Sequence, residues 1–264
     1  MNLWDFDAVI VNSSAGKDSL VALFAIHTMQ IQQSYPANRV FVSHSDLGEA
    51  EWIGTHELAK KQAELFGYSF ISDKRIDKDG KQETLLEYVL RRKKWPDNKN
   101  RYCTSDFKRV VGGKILTKIW RSLDAKQGKI LNVFGFRAEE SPARSKKKVL
   151  SPNKIFTTKS REVWDYLPIH KMTTQEVWDI IHQNNLPYHF AYDLGMPRLS
   201  CVFCVFSPFE ALVIAGKHNR ELLDKYIEVE KEIQHTFRHN FSLAQVAEAI
   251  DNGYEPKGVS NWIM

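Results

Sequence analysis

The chain has 264 residues, enough to bury a full core as one domain with an extension, so a peptide-sized scaffold is excluded. With 43% hydrophobic and 26% charged residues it has the composition of a globular protein, and with no apolar run near the ~18 to 20 residues of a membrane helix it is expected to have no membrane partner. The formal net charge is +5, and two compact basic runs, Arg91-Arg92-Lys93-Lys94 and Arg144-Ser145-Lys146-Lys147-Lys148, suit either a polyanionic partner or a solvated face.

The N-terminal residues enter a strand at once, without the pattern of a secretory signal, which predicts a cytoplasmic location. That strand, Val9-Ile10-Val11, turns through Asn12-Ser13-Ser14-Ala15-Gly16 into a helical pattern that begins at Lys17-Asp18-Ser19-Leu20 and runs to about Gln33. A turn of small residues lets backbone N–H groups approach a phosphate, and the helix that follows points its positive end at the same place. Ser13, Ser14, Gly16 and Ser19 are therefore candidate phosphate contacts, with Lys17 and Asp18 as candidate catalytic groups. The spacing is not Gly-x-x-x-x-Gly-Lys-Ser/Thr, so the common nucleotide-hydrolase loop is excluded.

A second strand, 40–44, ends in the polar turn Ser45-Asp46-Leu47-Gly48, where Asp46 suits either a ribose, adenine or metal contact or a simple turn cap. A helix over 52–66 stops at Gly67, and 68–71 is a short third strand. A charged loop over 74–81 precedes a helix over 83–94, and an exposed connection over 95–102 delivers Cys103. A further helix over 104–123 is weakened by Gly112-Gly113 in its middle. The strand 129–136 empties into Arg137-Ala138-Glu139-Glu140-Ser141-Pro142-Ala143-Arg144, and 146–161 reads as a mobile loop or hairpin. The capping box Thr173-Thr174-Gln175-Glu176 opens a helix over 177–184, and a loop leads to Cys201-x-x-Cys204. One helix over 210–237 and a last short one opened by Ser242-Leu243-Ala244-Gln245 complete the chain.

Strands alternating with helices predict an α/β fold with a doubly wound parallel sheet, residues 1–200, carrying the Cys-x-x-Cys segment and a helical C-terminal extension, residues 201–264. In such a sheet the loops after the strands share one edge, so the 13–19 loop, Asp46 and the 137–144 loop could line one cleft. Arg137 and Arg144, also candidate catalytic groups, offer planar forks for phosphate or sulfate oxygens, and Glu139 with Glu140 could balance that charge or help hold Mg²⁺. The odd set Cys103, Cys201 and Cys204 argues against a disulfide framework. It leaves half a zinc site, a redox pair, a [4Fe-4S] cluster with three Cys ligands and one open iron, or three unconnected buried thiols.

Five segments in order carry a resemblance. They are Ser14-Ala15-Gly16-Lys17-Asp18-Ser19, Arg101-Tyr102-Cys103-Thr104 with Lys108, Gly135-Phe136-Arg137-Ala138-Glu139-Glu140-Ser141-Pro142-x-Arg144, Trp164-Asp165-Tyr166-Leu167-Pro168 followed by Thr174-Gln175-Glu176-Val177-Trp178, and Ser200-Cys201-x-x-Cys204. Over roughly residues 8–240 the chain resembles the phosphoadenosine phosphosulfate (PAPS) reductase family of the PP-loop ATP pyrophosphatase superfamily. The resemblance implies an adenine nucleotide alpha hydrolase-like fold, a nucleotide held with Gly135 and Glu139 beside the first loop, and a ligand set of three cysteines for a cluster. Two departures stand out: Ala15 replaces a glycine, and the sequence ends without the cysteine-bearing tail on which sulfonucleotide reductases of the family rely. With the lysine retained in the loop, the features are similar to the ATP pyrophosphatases of DNA phosphorothioation systems and to iron–sulfur RNA thiolases. That similarity implies ATP and Mg²⁺ as cofactors, a nucleic-acid acceptor (DNA before RNA), a cysteine desulfurase as sulfur donor and a homodimer. A sulfonucleotide reductase and a non-catalytic nucleotide-binding regulator are the alternatives.

Overall fold

The side chains of the first strand, β1 (Ala8–Asn12), alternate between two apolar layers, Val9 and Val11 on one face, Ala8 and Ile10 on the other. The two-residue repeat of a strand requires this wherever both faces are covered. The computed structural model describes residues 1–259 and 262. Beyond β1 the strands are β2 (Val40–Asp46), β3 (Ser69–Lys74), β4 (Gly128–Val133), β5 (Leu150–Pro152) and β6 (Arg161–Tyr166), in the sheet order β3-β2-β1-β4-β6-β5. β1 pairs in parallel with β2 and β4, and β4 with β6, while β5 runs antiparallel to β6 at the edge.

The helices in chain order are α1 (Lys17–Gln32), α2 (Thr55–Leu65), α3 (Leu85–Arg92), α4 (Tyr102–Thr104), α5 (Val110–Ser122), α6 (Pro142–Ser145), α7 (Thr174–Gln183), α8 (Phe209–His218), α9 (Arg220–Ile233) and α10 (Ala244–Asp251). Leu20, Val21 and Leu23 of α1 and Val177 and Ile181 of α7 bury against Val9, Val11, Leu131 and Val133. Val111, Ile115 and Ile119 of α5 cover the opposite face through Ile10, Phe41, Ile130 and Val163. This is the doubly wound α/β architecture.

Two compact units divide the chain. The first, Met1–Ser45, Gly54–Asp73 and Val111–His189, contains the sheet; the second takes Asp46–Ile53, Lys74–Val110 and the chain from Phe190 on. The division is thus discontinuous, each unit drawing on separate segments of the chain. Its physical reason is apolar: Trp52, Leu86, Val89, Trp95 and Phe107 share one core with Val202, Leu212, Leu223, Tyr226 and Val246.

Three local differences from the sequence reading have identifiable causes. β6 is a strand that the pattern 163–168 does not announce, because Asp165 and Tyr166 interrupt its apolar alternation. The helix expected over 210–237 is two, broken at Asn219 (φ −138°, ψ 53°), and Gly216 leaves room for neighbours: an added Cβ would lie 2.8 Å from Ile250 and 3.0 Å from Leu223. Conversely, Gly113 does not break α5. Its missing side chain admits Phe156, whose ring an added Cβ would meet at 2.7 Å.

Candidate functional site

In the first unit the chain leaves β1 at Asn12 and reaches the first residue of α1, Lys17, through four small residues. The turn ties itself with its own hydroxyls. Ser13 Oγ accepts from the Ala15 N–H at 3.1 Å, and Ser19 Oγ accepts from the Ser14 N–H at 3.2 Å while donating to Gly16 O at 2.8 Å. Ala15 adopts φ 56°, the left-handed region that glycine enters without cost. The turn therefore presents the N-terminal end of a 16-residue helix, where backbone N–H groups and the helix dipole favour an anion. Lys17 is 2% exposed, with Nζ 3.2 Å from Asp18 Oδ2.

The 134–144 loop packs directly on this turn. At Gly135 an added Cβ would fall 2.5 Å from Asp18 O and 2.8 Å from Ser19 N, both backbone atoms, so only glycine permits the approach. Arg137, 3% exposed, donates through Nε to Asp18 Oδ1 at 2.6 Å and through its Nη atoms to Glu139 and to Thr174 Oγ1 at 3.2 Å. Burial works against its charge, but the carboxylates of Asp18 and Glu139 outweigh burial and hold it firmly cationic. Burial likewise opposes the Glu139 carboxylate, and the hydrogen bonds from Thr174 and Arg137 overcome it, lowering its pKa. Arg144 pairs with Glu140, and its guanidinium lies 4.4 Å over the Phe136 ring. The structure thus brings Ser13, Ser14, Gly16, Lys17, Asp18, Ser19, Gly135, Arg137 and Glu139 into one cluster, with both arginines occupied by carboxylates.

Asp46 belongs to the second unit, where it caps a turn: Oδ1 accepts from the Gly48 N–H at 2.6 Å and Oδ2 lies 3.5 Å from Lys74 Nζ. The three cysteines share that unit and are half-buried. Burial pushes the Cys201 thiol up to about 12 and raises that of Cys204. Cys201, ahead of Glu51, Cys204 and Cys103, raises the Lys108 pKa, which places this cation within electrostatic reach of the three sulfurs. Among the described residues no group of three or more His, Cys, Asp or Glu is drawn tightly together as a metal site, which holds for zinc and for a three-cysteine cluster alike. Three orphaned buried polar atoms surround the Cys201-x-x-Cys204 turn: Ser207 Oγ, the Tyr226 hydroxyl and Arg238 Nε. Tyr226 packs on Phe203, between the two cysteines, with ring centroids 5.1 Å apart. The Ser207 N–H donates to Cys204 O, and Arg238 Nη1 donates to Ser207 O. Donors without acceptors beside thiols are what a sulfide-bearing iron–sulfur cluster would satisfy, so the chemistry of the set fits that group.

Two supporting features escape the sequence reading. A ladder of polar side chains crosses the sheet: Ser43 Oγ donates to Asn12 Oδ1, Asn12 Nδ2 to Asn132 Oδ1, and Asn132 and Asn153 both donate to Asp165. It fixes the strand ends that carry both loops, and an asparagine inside the apolar run 129–136 was its available signal. Buried Gln62 of α2 donates to Ala15 O at 3.3 Å and to Pro187 O at 2.9 Å, bracing the turn from behind. It stands where the apolar side of α2, Ala59 and Ala63, continues.

No helix among the described residues is long and apolar enough to cross a membrane. The adenosine 5'-phosphosulfate reductase of Staphylococcus haemolyticus is 25% identical over 211 residues, 78% of this chain and 73% of that protein. That of Oceanobacillus iheyensis is 36% identical over 81 residues, about a third of each chain, 31% and 32%. Among solved structures, PAPS reductase from Candida auris in a phosphate complex is similar at a TM-score of 0.47 and 16% identity, covering 75% of this chain and 83% of that one. The U34-tRNA thiolase NcsA from Methanococcus maripaludis with its [4Fe-4S] cluster is similar at 0.46 and 14%, covering 94% and 73%. Residues 8–206, most of the chain and both constellations up to Cys204, match the phosphoadenosine phosphosulfate reductase domain, and the chain belongs to that family.

Proposed function

We propose that the protein is an ATP pyrophosphatase that adenylylates an acceptor for sulfur insertion. The observation that carries this reading is Lys17, an ammonium buried to 2% exposure at the first position of α1, on a turn built for anions. A fixed positive charge there suits the negative charge that develops on a pyrophosphate leaving group.

In this reading ATP enters as its magnesium complex and lays its phosphates on the 13–19 turn. An acceptor oxygen, most fittingly one of a DNA backbone phosphate, attacks the α-phosphorus. The bond to the bridging oxygen breaks and pyrophosphate leaves with the electron pair. A cysteine desulfurase partner supplies sulfane sulfur, which two electrons from a thiol or other reductant convert to hydrosulfide; the hydrosulfide forms its bond to the activated acceptor phosphorus, and AMP departs with the former acceptor oxygen. Lys17 and the first turn of α1 stabilise the leaving phosphates, with Arg144 as a second candidate for that charge. Arg137 is a positioning residue: through Asp18 and Glu139 it holds the 134–144 loop to the start of α1. Cys103, Cys201 and Cys204 would hold an iron–sulfur cluster, which when bound supplies an iron able to carry a sulfur ligand.

A second reading is favoured by the relatives, which are named as adenosine 5'-phosphosulfate reductases. On that reading the same turn holds a sulfonucleotide that is reduced to sulfite. The two separate in one assay. Anaerobically purified protein with ATP and Mg²⁺, with and without duplex DNA, is expected to release pyrophosphate and AMP. Sulfite from adenosine phosphosulfate and a thiol donor, with no pyrophosphate from ATP, would overturn the first reading.

A further inference from the structure

Residues 91–109 hold eight Lys or Arg against two Asp, a net charge of +6 in a chain whose total is +5. The positive excess of the whole protein therefore lies in this one stretch, which belongs entirely to the second unit and contains Cys103. A charge run of this kind is ordinarily a solvated, mobile face. This one is pinned. Trp95, 2% exposed, stacks on Tyr226 with centroids 5.3 Å apart and donates through Nε1 to His235 O at 3.2 Å. Tyr102, 3% exposed, donates its hydroxyl to Lys94 O at 2.7 Å. Between these anchors Asp97 Oδ1 accepts from the Lys99 and Asn100 N–H groups at 2.8 and 2.7 Å.

The aromatics thus face the core and the cations are held outside on a fixed frame. Lys93, Lys99, Arg101 and Arg109 are exposed, and none has a carboxylate partner among the described residues. Two guanidinium groups are further ordered by ring faces, Arg101 at 4.4 Å from the Phe206 centroid and Arg92 at 4.9 Å from that of Tyr102. Ordered, unpaired cations lose little side-chain entropy when an anion arrives, so they bind it more tightly than mobile ones. They are spread along a stretch rather than gathered at one point, which suits a ligand with regularly spaced negative charges.

We propose that residues 91–109 form a docking surface for a nucleic-acid backbone, read through its phosphates and without base specificity. This rests on the reading that the sulfur acceptor is a nucleic acid, and it assigns that acceptor's contact to the surface bearing Cys103.

The test is binding of a fluorescent DNA duplex of about twenty base pairs to the full chain in the absence of ATP, across a salt series. About four phosphate contacts give a slope of log K against log salt of about −3 to −4, or roughly a hundredfold loss of affinity for a fourfold rise in salt. The variant Lys93→Asn/Lys99→Ala/Arg101→Ala/Arg109→Ala is expected to bind at least tenfold more weakly, with a shallower slope; asparagine is chosen at 93 because φ there is 52°. The single change Lys99→Glu, at an exposed loop position, repeats the test with less risk to folding. Lys146→Ala/Lys147→Ala/Lys148→Ala, in the first unit, is expected to stay within about threefold of wild type. No duplex binding, equal loss in the two multiple variants, or equal displacement of the duplex by polyglutamate would each overturn the proposal, the last by pointing to an acidic protein instead. Pyrophosphate release from ATP alone is scored separately. Duplex binding without pyrophosphate sinks the ATP reading and leaves this surface standing; pyrophosphate without duplex binding does the reverse.

Discussion

Ala15 holds a left-handed conformation with its side chain fully buried, at a cost of about 1–2 kcal/mol for a residue with a Cβ. Gln62 and the Ser13 hydroxyl over-determine it. Ala15→Gly removes that strain and adds about 0.4–1 kcal/mol of unfolded-state entropy, so thermal stability is expected to be unchanged or to rise slightly. A loss above about 1 kcal/mol in a denaturant melt would contradict the backbone argument. Gly135 is the opposite case. Gly135→Ala puts a methyl against the backbone of Asp18 and Ser19, where nothing flexible can yield. We expect it to cost about 1–3 kcal/mol and to weaken nucleotide binding, measured by calorimetry, because the start of α1 must shift. Nucleotide affinity equal to wild type would show that the loop is free to move. The sequence motif named both positions as parts of a nucleotide loop, but the strain at Ala15 is held in part by Gln62, 47 residues away, and the approach at Gly135 is to the backbone of Asp18 and Ser19, more than 110 residues away.

At the scale of elements, capping signals were legible in part: the box read at Ser242–Gln245 does not cap α10, whose N-cap is Leu243 without a side-chain bond, and the box at Thr84 went unread. The Thr173–Glu176 capping box is formed as read, and a second, Thr84 with Glu87, opens α3. What the local pattern did not carry was tertiary: the polar ladder that joins Asp165 of β6 to Asn132, and the close approach of Gly216 to Ile250 of α10 near the helix break at Asn219. Glu83, just before α3, shows an element fixed by charge. Its carboxylate, 8% exposed, receives Arg75 at 2.9 Å and Arg91 at 2.8 Å. Burial alone would raise its pKa; the two arginines together outweigh burial and set it below the ordinary 4.5. A depressed folded-state value means that the stabilisation is complete above 4.5 and is lost as pH falls through the lower folded value. Glu83→Gln is therefore expected to reduce stability at neutral pH and to flatten part of its acid dependence, read from denaturant midpoints over the range below pH 4.5. An unchanged acid slope would mean that the pair contributes nothing.

For the whole molecule, the doubly wound sheet and the nucleotide turn were legible because strand alternation and a small-residue turn are local facts. The two-unit division was not, since each unit is assembled from three separate segments of chain. The roles of Arg137 and Asp46 also needed the structure: the motif marks an arginine and an aspartate, but only the fold reveals that one braces the turn through Asp18 and the other caps Gly48. In the proposed reaction Lys17 serves a pyrophosphate leaving group. The direct measurement is the rate of pyrophosphate release from ATP and Mg²⁺ by wild type, Lys17→Ala and Lys17→Arg, with folding checked by circular dichroism. Wild type is expected to release pyrophosphate, Lys17→Ala to fall about a hundredfold or more, and Lys17→Arg to retain part of the rate, with the loss in kcat rather than KM. Pyrophosphate release unchanged in Lys17→Ala, or none from wild type, would contradict it.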